Sequence, residues 1–125
     1  MLLLQIALWI ASVFLALVFF AAAGNKLIRE KPELEQTMPW STEFTERQLK
    51  YISFAEIAGA LGLILPEVTG IFPILTPIAA LGLAVVQVFA FRVHRRRGES
   101  KVLAVNVMLF VLAVFVAVGR VFVHA

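Results

Sequence analysis

The chain has 125 residues, of which 62% are hydrophobic and 15% charged, with a formal net charge of +3 and no cysteine. Soluble domains carry about 25% charged and 45–50% apolar residues, so this composition is that of a single integral membrane domain. It excludes structural disulfides, thiol redox relays and thiolate metal sites. The basic residues lie in connections rather than along one face, which argues against nucleic acid as a partner.

Four spans are predicted, over about residues 2–24, 48–65, 71–93 and 102–123. The first stretch is uncharged and about the ~20 residues a bilayer core requires. A cleaved signal peptide is the competing reading, given the run Ala21-Ala22-Ala23. It lacks the basic start and short apolar core of such a peptide. Gln5, Trp9, Ser12, Ala16, Phe19, Ala23 and Lys26 recur at alternating four and three residues, which keeps them on one face toward neighbouring helices.

Residues 25–41 form a polar connection. Pro32 with Glu33 and Glu35 behind it suits the opening of a short helical turn. Met38, Pro39 and Trp40 read as interfacial. Ser41 or Thr42 is the expected N-cap of a helix over residues 42–65 whose first two turns are polar. Ala55, Gly59 and Gly62 give it a small-residue edge that permits close backbone approach. Pro66 and Gly70 are expected to end it.

Pro73 and Pro77 lie early in the third span, and Pro77 is expected to kink it. Pro77, Ala80, Ala84, Gln87, Phe91 and His94 share a stripe, followed by the basic run His94-Arg95-Arg96-Arg97. The interior stripe of the fourth span is Asn106, Phe110, Ala113, Ala117 and Arg120. All basic residues but Arg120 lie in or beside the first and third connections. Lys and Arg favour the cytoplasmic side, so both termini are expected outside the cytoplasm, with the protein in the plasma (inner) membrane.

Glu56 is the organising residue. It stands among Ala55, Ile57, Ala58, Gly59 and Ala60. A charge in hydrocarbon costs a few kcal/mol even on mild scales, so it needs a partner, a wet cavity or a proton. Lys26, Gln87 and Asn106 lie on interior stripes at the same half of the membrane, with His94 at the mouth. Glu56, Lys26, Gln87, His94 and Asn106 therefore form the candidate polar cluster. Arg120 is the polar residue of the outer end, able to snorkel or to pair across the bundle. Two roles stay open for the cluster. Polar groups in membrane bundles often only tie helices together, at about 0.6 kcal/mol each. A carboxylate is a costly tie, which leaves a ligand or proton role equally open. No catalytic set, metal set or cofactor set stands out. The two histidines, His94 and His124, fall at opposite ends, which removes a bis-histidine haem.

With these residues in place the chain resembles the DoxX-like family of small four-span membrane proteins. The matching pieces are Gly24, Lys26 and Leu27 at the exit of the first span, the run from Glu56 to Pro66, Pro73, Leu75-Thr76-Pro77, Ala79 to Leu83, His94, Arg96-Arg97-Gly98-Glu99 and Asn106. The resemblance implies an all-α four-helix bundle in the plasma membrane. It also implies kinship with small subunits of thiosulfate:quinone oxidoreductases, with membrane partners of redox-defence enzymes, and more distantly with an assembly factor for acetylcholine receptors. The first expectation is a non-catalytic accessory or assembly protein acting through helix packing with itself or a membrane-protein partner. The alternative is a redox-linked subunit holding a quinone or other lipophilic ligand near Glu56, Gln87 and His94. A small dimeric carrier is third.

Overall fold

The computed structural model describes residues 1–124 as five α-helices. They are α1 (Leu2–Ile28), α2 (Lys31–Thr37), α3 (Glu46–Thr69), α4 (Leu75–Arg96) and α5 (Ser100–His124), with a 3-10 turn at Pro39–Glu43. Four of them are long and apolar enough to cross a membrane. The four long helices close into a ring. α1 packs on α3 and α5, and α4 packs on the same two. The protein is an all-α, four-span membrane bundle.

Its polarity is inverted relative to a soluble bundle. Leu3, Ile10, Leu17, Phe54, Phe89 and Val118 are exposed, whereas Ser12, Lys26, Ser53, Glu56, Thr76, Gln87, Asn106 and Arg120 are buried. Lipid solvates the first set and cannot satisfy the second. Between the two polar levels lies a core of Leu15, Phe19, Leu63, Leu83, Leu109 and Val116. The α1 stripe is buried from Ser12 to Lys26, with Leu8, Ala11 and Leu15 widening it.

Several boundaries differ from expectation, each for a local reason. The N-cap of α3 is Thr45, not Ser41 or Thr42. Its hydroxyl accepts from the Gln48 amide at 3.1 Å, while the Gln48 side chain accepts from the Thr45 amide at 2.9 Å. That reciprocal box satisfies two donors that a serine four residues earlier leaves free. Thr42 and Glu43, assigned to this helix from sequence, belong instead to the 3-10 turn at Pro39–Glu43.

Pro66 does not end α3. The helix runs on to Thr69 and stops at Gly70, which adopts the left-handed conformation at φ 70°. A proline inside a helix frees the carbonyl four residues earlier, here that of Gly62. The hydroxyl of Thr76, at the start of α4, donates to that carbonyl at 2.9 Å. The lost bond is thus replaced across the α3–α4 seam. The seam is closed only because Gly62 has no side chain, since a Cβ there would stand 2.6 Å from that of Ala79.

α4 begins at Leu75, four residues later than expected, which places Pro77 in its first turn. There its missing N–H has no intrahelical partner to lose, so the expected cause of a kink is absent. Phe110, counted in the interior of α5, is 37% exposed, and Leu109 fills the core in its place.

Candidate functional site

The polar side chains gather at two levels, one at each end of the apolar core. Both connections that carry the basic residues lie at the same end. Glu43, before α3, forms ion pairs with Arg96 and with Arg97 at the end of α4, the latter at 3.1 Å.

At this end Lys26, in the last turn of α1, reaches inward, and its Nζ stands 2.7 Å from Glu56 Oε1. Lys26 is 7% exposed and Glu56 5%. The contact is a close ion pair rather than an aligned hydrogen bond, for Oε1 has no hydrogen-bond partner. Ser53, one turn away, is occupied elsewhere, donating to the Leu49 carbonyl at 2.8 Å. The Lys26 ammonium also lies 5.6 Å from the centre of the Trp40 ring, within cation–π range.

Trp40, expected at the lipid interface, instead closes the site from above. Its ring meets His94 edge-on at 5.9 Å and Phe44 at 5.6 Å. His94 Nδ1 is in turn 2.9 Å from Glu99 Oε1, and the Arg97 Nε donates to the same oxygen at 3.2 Å. The connection between α1 and α3 is thus a strap over the Lys26–Glu56 pair, pinned to α4 at Glu43 and at Trp40.

The Arg97 hydrogen bond first, and then the bond and field of Arg96, hold the Glu43 carboxyl below its ordinary value of 4.5, against some loss of hydration. A carboxyl with a depressed folded-state value stabilises the folded form above its unfolded value. That stabilisation is lost as pH falls through the depressed one. The pin is therefore expected to survive acidification to 4.5 and to open only below it. Fluorescence of Trp40 in a Trp9→Phe background reads this step. A midpoint at or above that value, or the same step in Glu43→Gln, would contradict the assignment.

Of the other expected members, Gln87 and Asn106 meet one another, the Asn106 amide donating to Gln87 Oε1 at 2.8 Å. This pair ties α4 to α5. Among the described residues it makes no hydrogen bond or ion pair with Glu56 or Lys26. Asn106 Oδ1 is buried without a partner. The cluster expected from sequence is therefore bonded as two units, Glu56–Lys26 with His94 linked through Trp40, and Gln87–Asn106, with no hydrogen bond or ion pair between them among the described residues. A cleft of about 220 Å3 along the α4–α5 seam is lined by Gln87 and Asn106, and a groove of about 340 Å3 follows the α3–α4 seam beside Gly59 and Gly62. Neither is lined by Glu56, Lys26 or His94.

At the other end Arg120 is 1% exposed and does not snorkel. Its Nη1 donates to Gln5 Oε1 at 3.1 Å and lies 3.6 Å from Glu67 Oε2. The guanidinium stacks over Trp9, 5.0 Å from the ring centre, while Nε and Nη2 have no hydrogen-bond partner. His124 Nε2 meets Glu67 Oε1 at 2.8 Å. Gln5, Trp9 and Glu67 were not marked as site residues in the sequence. The signal was present for Glu67: it is the one acid at the end where Arg120 is the one Lys or Arg.

Every seam of the ring thus carries one polar tie. Lys26–Glu56 joins α1 to α3, Thr76–Gly62 joins α3 to α4, Gln87–Asn106 joins α4 to α5, and Arg120–Gln5 joins α5 to α1. The sequence model of the DoxX-like family matches residues 10–116, all but the two ends of the chain. No curated protein and no solved structure matches it.

Proposed function

We propose, from the premise that this chain belongs to the DoxX-like family, that it is a non-catalytic accessory protein of the membrane acting through helix packing. One observation carries this reading: each helix seam is closed by its own polar tie, and the central acid is one of them. Glu56 meets an ammonium, and that ammonium is covered by Trp40. Buried polar ties of this kind fix which helices meet and in what register, the property a packing partner uses.

The double variant Lys26→Met/Glu56→Leu tests it. It removes the charge and keeps an apolar volume. Expressed in a strain lacking the gene, it is expected to restore the wild-type phenotype, because packing rather than charge does the work. A double variant that folds and inserts, yet fails to complement, would overturn the proposal in favour of chemistry at Glu56.

We infer further that the basic end is cytoplasmic, with both termini outside, in the plasma membrane. Support comes from the placement of both basic connections at one end, which the Glu43 ion pairs fix. The absence of cysteine makes the check direct. In intact cells a membrane-impermeant maleimide is expected to label Val68→Cys and to spare Ser100→Cys. The opposite pattern would invert the topology.

A further inference from the structure

Four arginines crowd the end of α4, and they divide into two kinds. Arg96 and Arg97 turn toward the strap and pair with Glu43. Among the described residues the side chains of Arg92 and Arg95 form no ion pair or hydrogen bond, and both residues are exposed. Arg92 stands at the mouth of the α4–α5 cleft. Arg95 lies three residues on, along the same side of the helix, where neighbouring Cβ atoms are about 5–6 Å apart.

We propose that this cleft seats an anionic phospholipid, with an acyl chain along the seam and the phosphate held by Arg92 and Arg95. The walls are Val88, Phe91, Val107 and Phe110. Val88, Val107 and Phe110 are exposed on the outer surface of the bundle, so the cleft opens to lipid rather than to the interior. Its floor is the Gln87–Asn106 pair. Arg92 is five residues beyond Gln87 toward the basic end, a rise of about 7.5 Å. The cation therefore stands above the apolar walls, as a headgroup stands above its chain. A guanidinium fork matches two phosphate oxygens, and two forks on one face converge on a single phosphate. The charge selects an anionic headgroup, and the apolar seam below selects a molecule that carries its chain with it.

The test is native mass spectrometry of the full chain, released from detergent in an equimolar mixture of phosphatidylglycerol and phosphatidylcholine with matched chains. The wild type is expected to retain phosphatidylglycerol in preference. Arg92→Gln/Arg95→Gln is expected to lower that retention about thirtyfold, since each of the two basic side chains near an anionic surface contributes about 1 kcal/mol and about 1.4 kcal/mol is a factor of ten. Val107→Trp, which fills the cleft, is expected to lower it as well. Arg96→Gln/Arg97→Gln is expected to keep it. All these positions but Arg97 have exposed side chains or end in solvent, and circular dichroism confirms that each variant is folded. Three results would overturn the proposal. One is equal loss in the Arg96/Arg97 variant, which marks diffuse charge. Another is full retention in Val107→Trp, which marks headgroup contact alone. The last is displacement by equimolar oleate, which marks a free fatty acid as the occupant.

Discussion

Lys26→Met is expected to destabilise the bundle by about 3–5 kcal/mol, the usual cost of removing one partner from a buried ion pair. The loss is that large because Glu56 is 5% exposed and has no second cation within reach among the described residues. Its neighbours on α3 are Ser53, already bonded to Leu49, and small apolar residues. The cost therefore belongs to the stranded carboxylate rather than to the contact it lost. Glu56→Leu, conversely, strands an ammonium that retains Trp40 and lies near the membrane boundary, so its loss is expected to be smaller. The double variant Lys26→Met/Glu56→Leu is expected to recover most of the deficit, because a buried pair is often matched or bettered by an apolar one of similar volume. Unfolding by sodium dodecyl sulfate in mild detergent, followed by far-ultraviolet circular dichroism, completes the double-mutant cycle. If the single and double variants lose stability additively, the two side chains act independently and the pair is not a tie.

Arg120→Met is expected to rank second, toward the lower end of about 3–5 kcal/mol. Arg120 is the point where three helices meet, touching Gln5 and Trp9 of α1 and Glu67 of α3. Removing it leaves Gln5 unpaired and deprives Glu67 of its guanidinium. The loss is moderated because Glu67 keeps His124 at 2.8 Å. His124→Ala added to Arg120→Met is therefore expected to destabilise by more than the sum of the two single changes. Arg120→Lys is not expected to rescue, since a single ammonium cannot bond Gln5, face Glu67 and stack on Trp9 from one position. The same denaturation assay reads these effects. An Arg120→Met protein as stable as wild type would mean that the guanidinium makes no net contribution where it lies.

The two ends differ. The Lys26–Glu56 pair lies beneath a strap that is itself pinned by Glu43 and Trp40. The Arg120 centre is formed by Gln5 and Trp9 of α1 and Glu67 of α3, and among the described residues no residue of the strap bonds to it.

Much of this was written in the chain. Residue type and spacing determined four membrane-length helices, most of the faces they turn inward, and the burial of Glu56, Gln87 and Asn106; whether Lys26 and Arg120 reach inward or snorkel was decided by the tertiary structure, which buries both. Lipid permits few alternatives: an isolated polar side chain in an apolar helix has to face the bundle. The end shared by the two basic connections followed from alternating spans. What the sequence left undecided was pairing. Gln87 and Asn106 were expected beside Glu56, and instead they bond to each other, because antiparallel α4 and α5 bring them level on a different seam. Periodicity gives a direction around each helix. It does not give the height at which two helices meet, and a hydrogen bond needs both. The same holds for Trp40, whose position over Lys26 depends on the 3-10 turn at Pro39–Glu43, and for Thr76, which became the partner of Gly62 only because α3 continued through Pro66 and left a carbonyl free. Those contacts are long-range in sequence and short in space, so only the tertiary structure decided them.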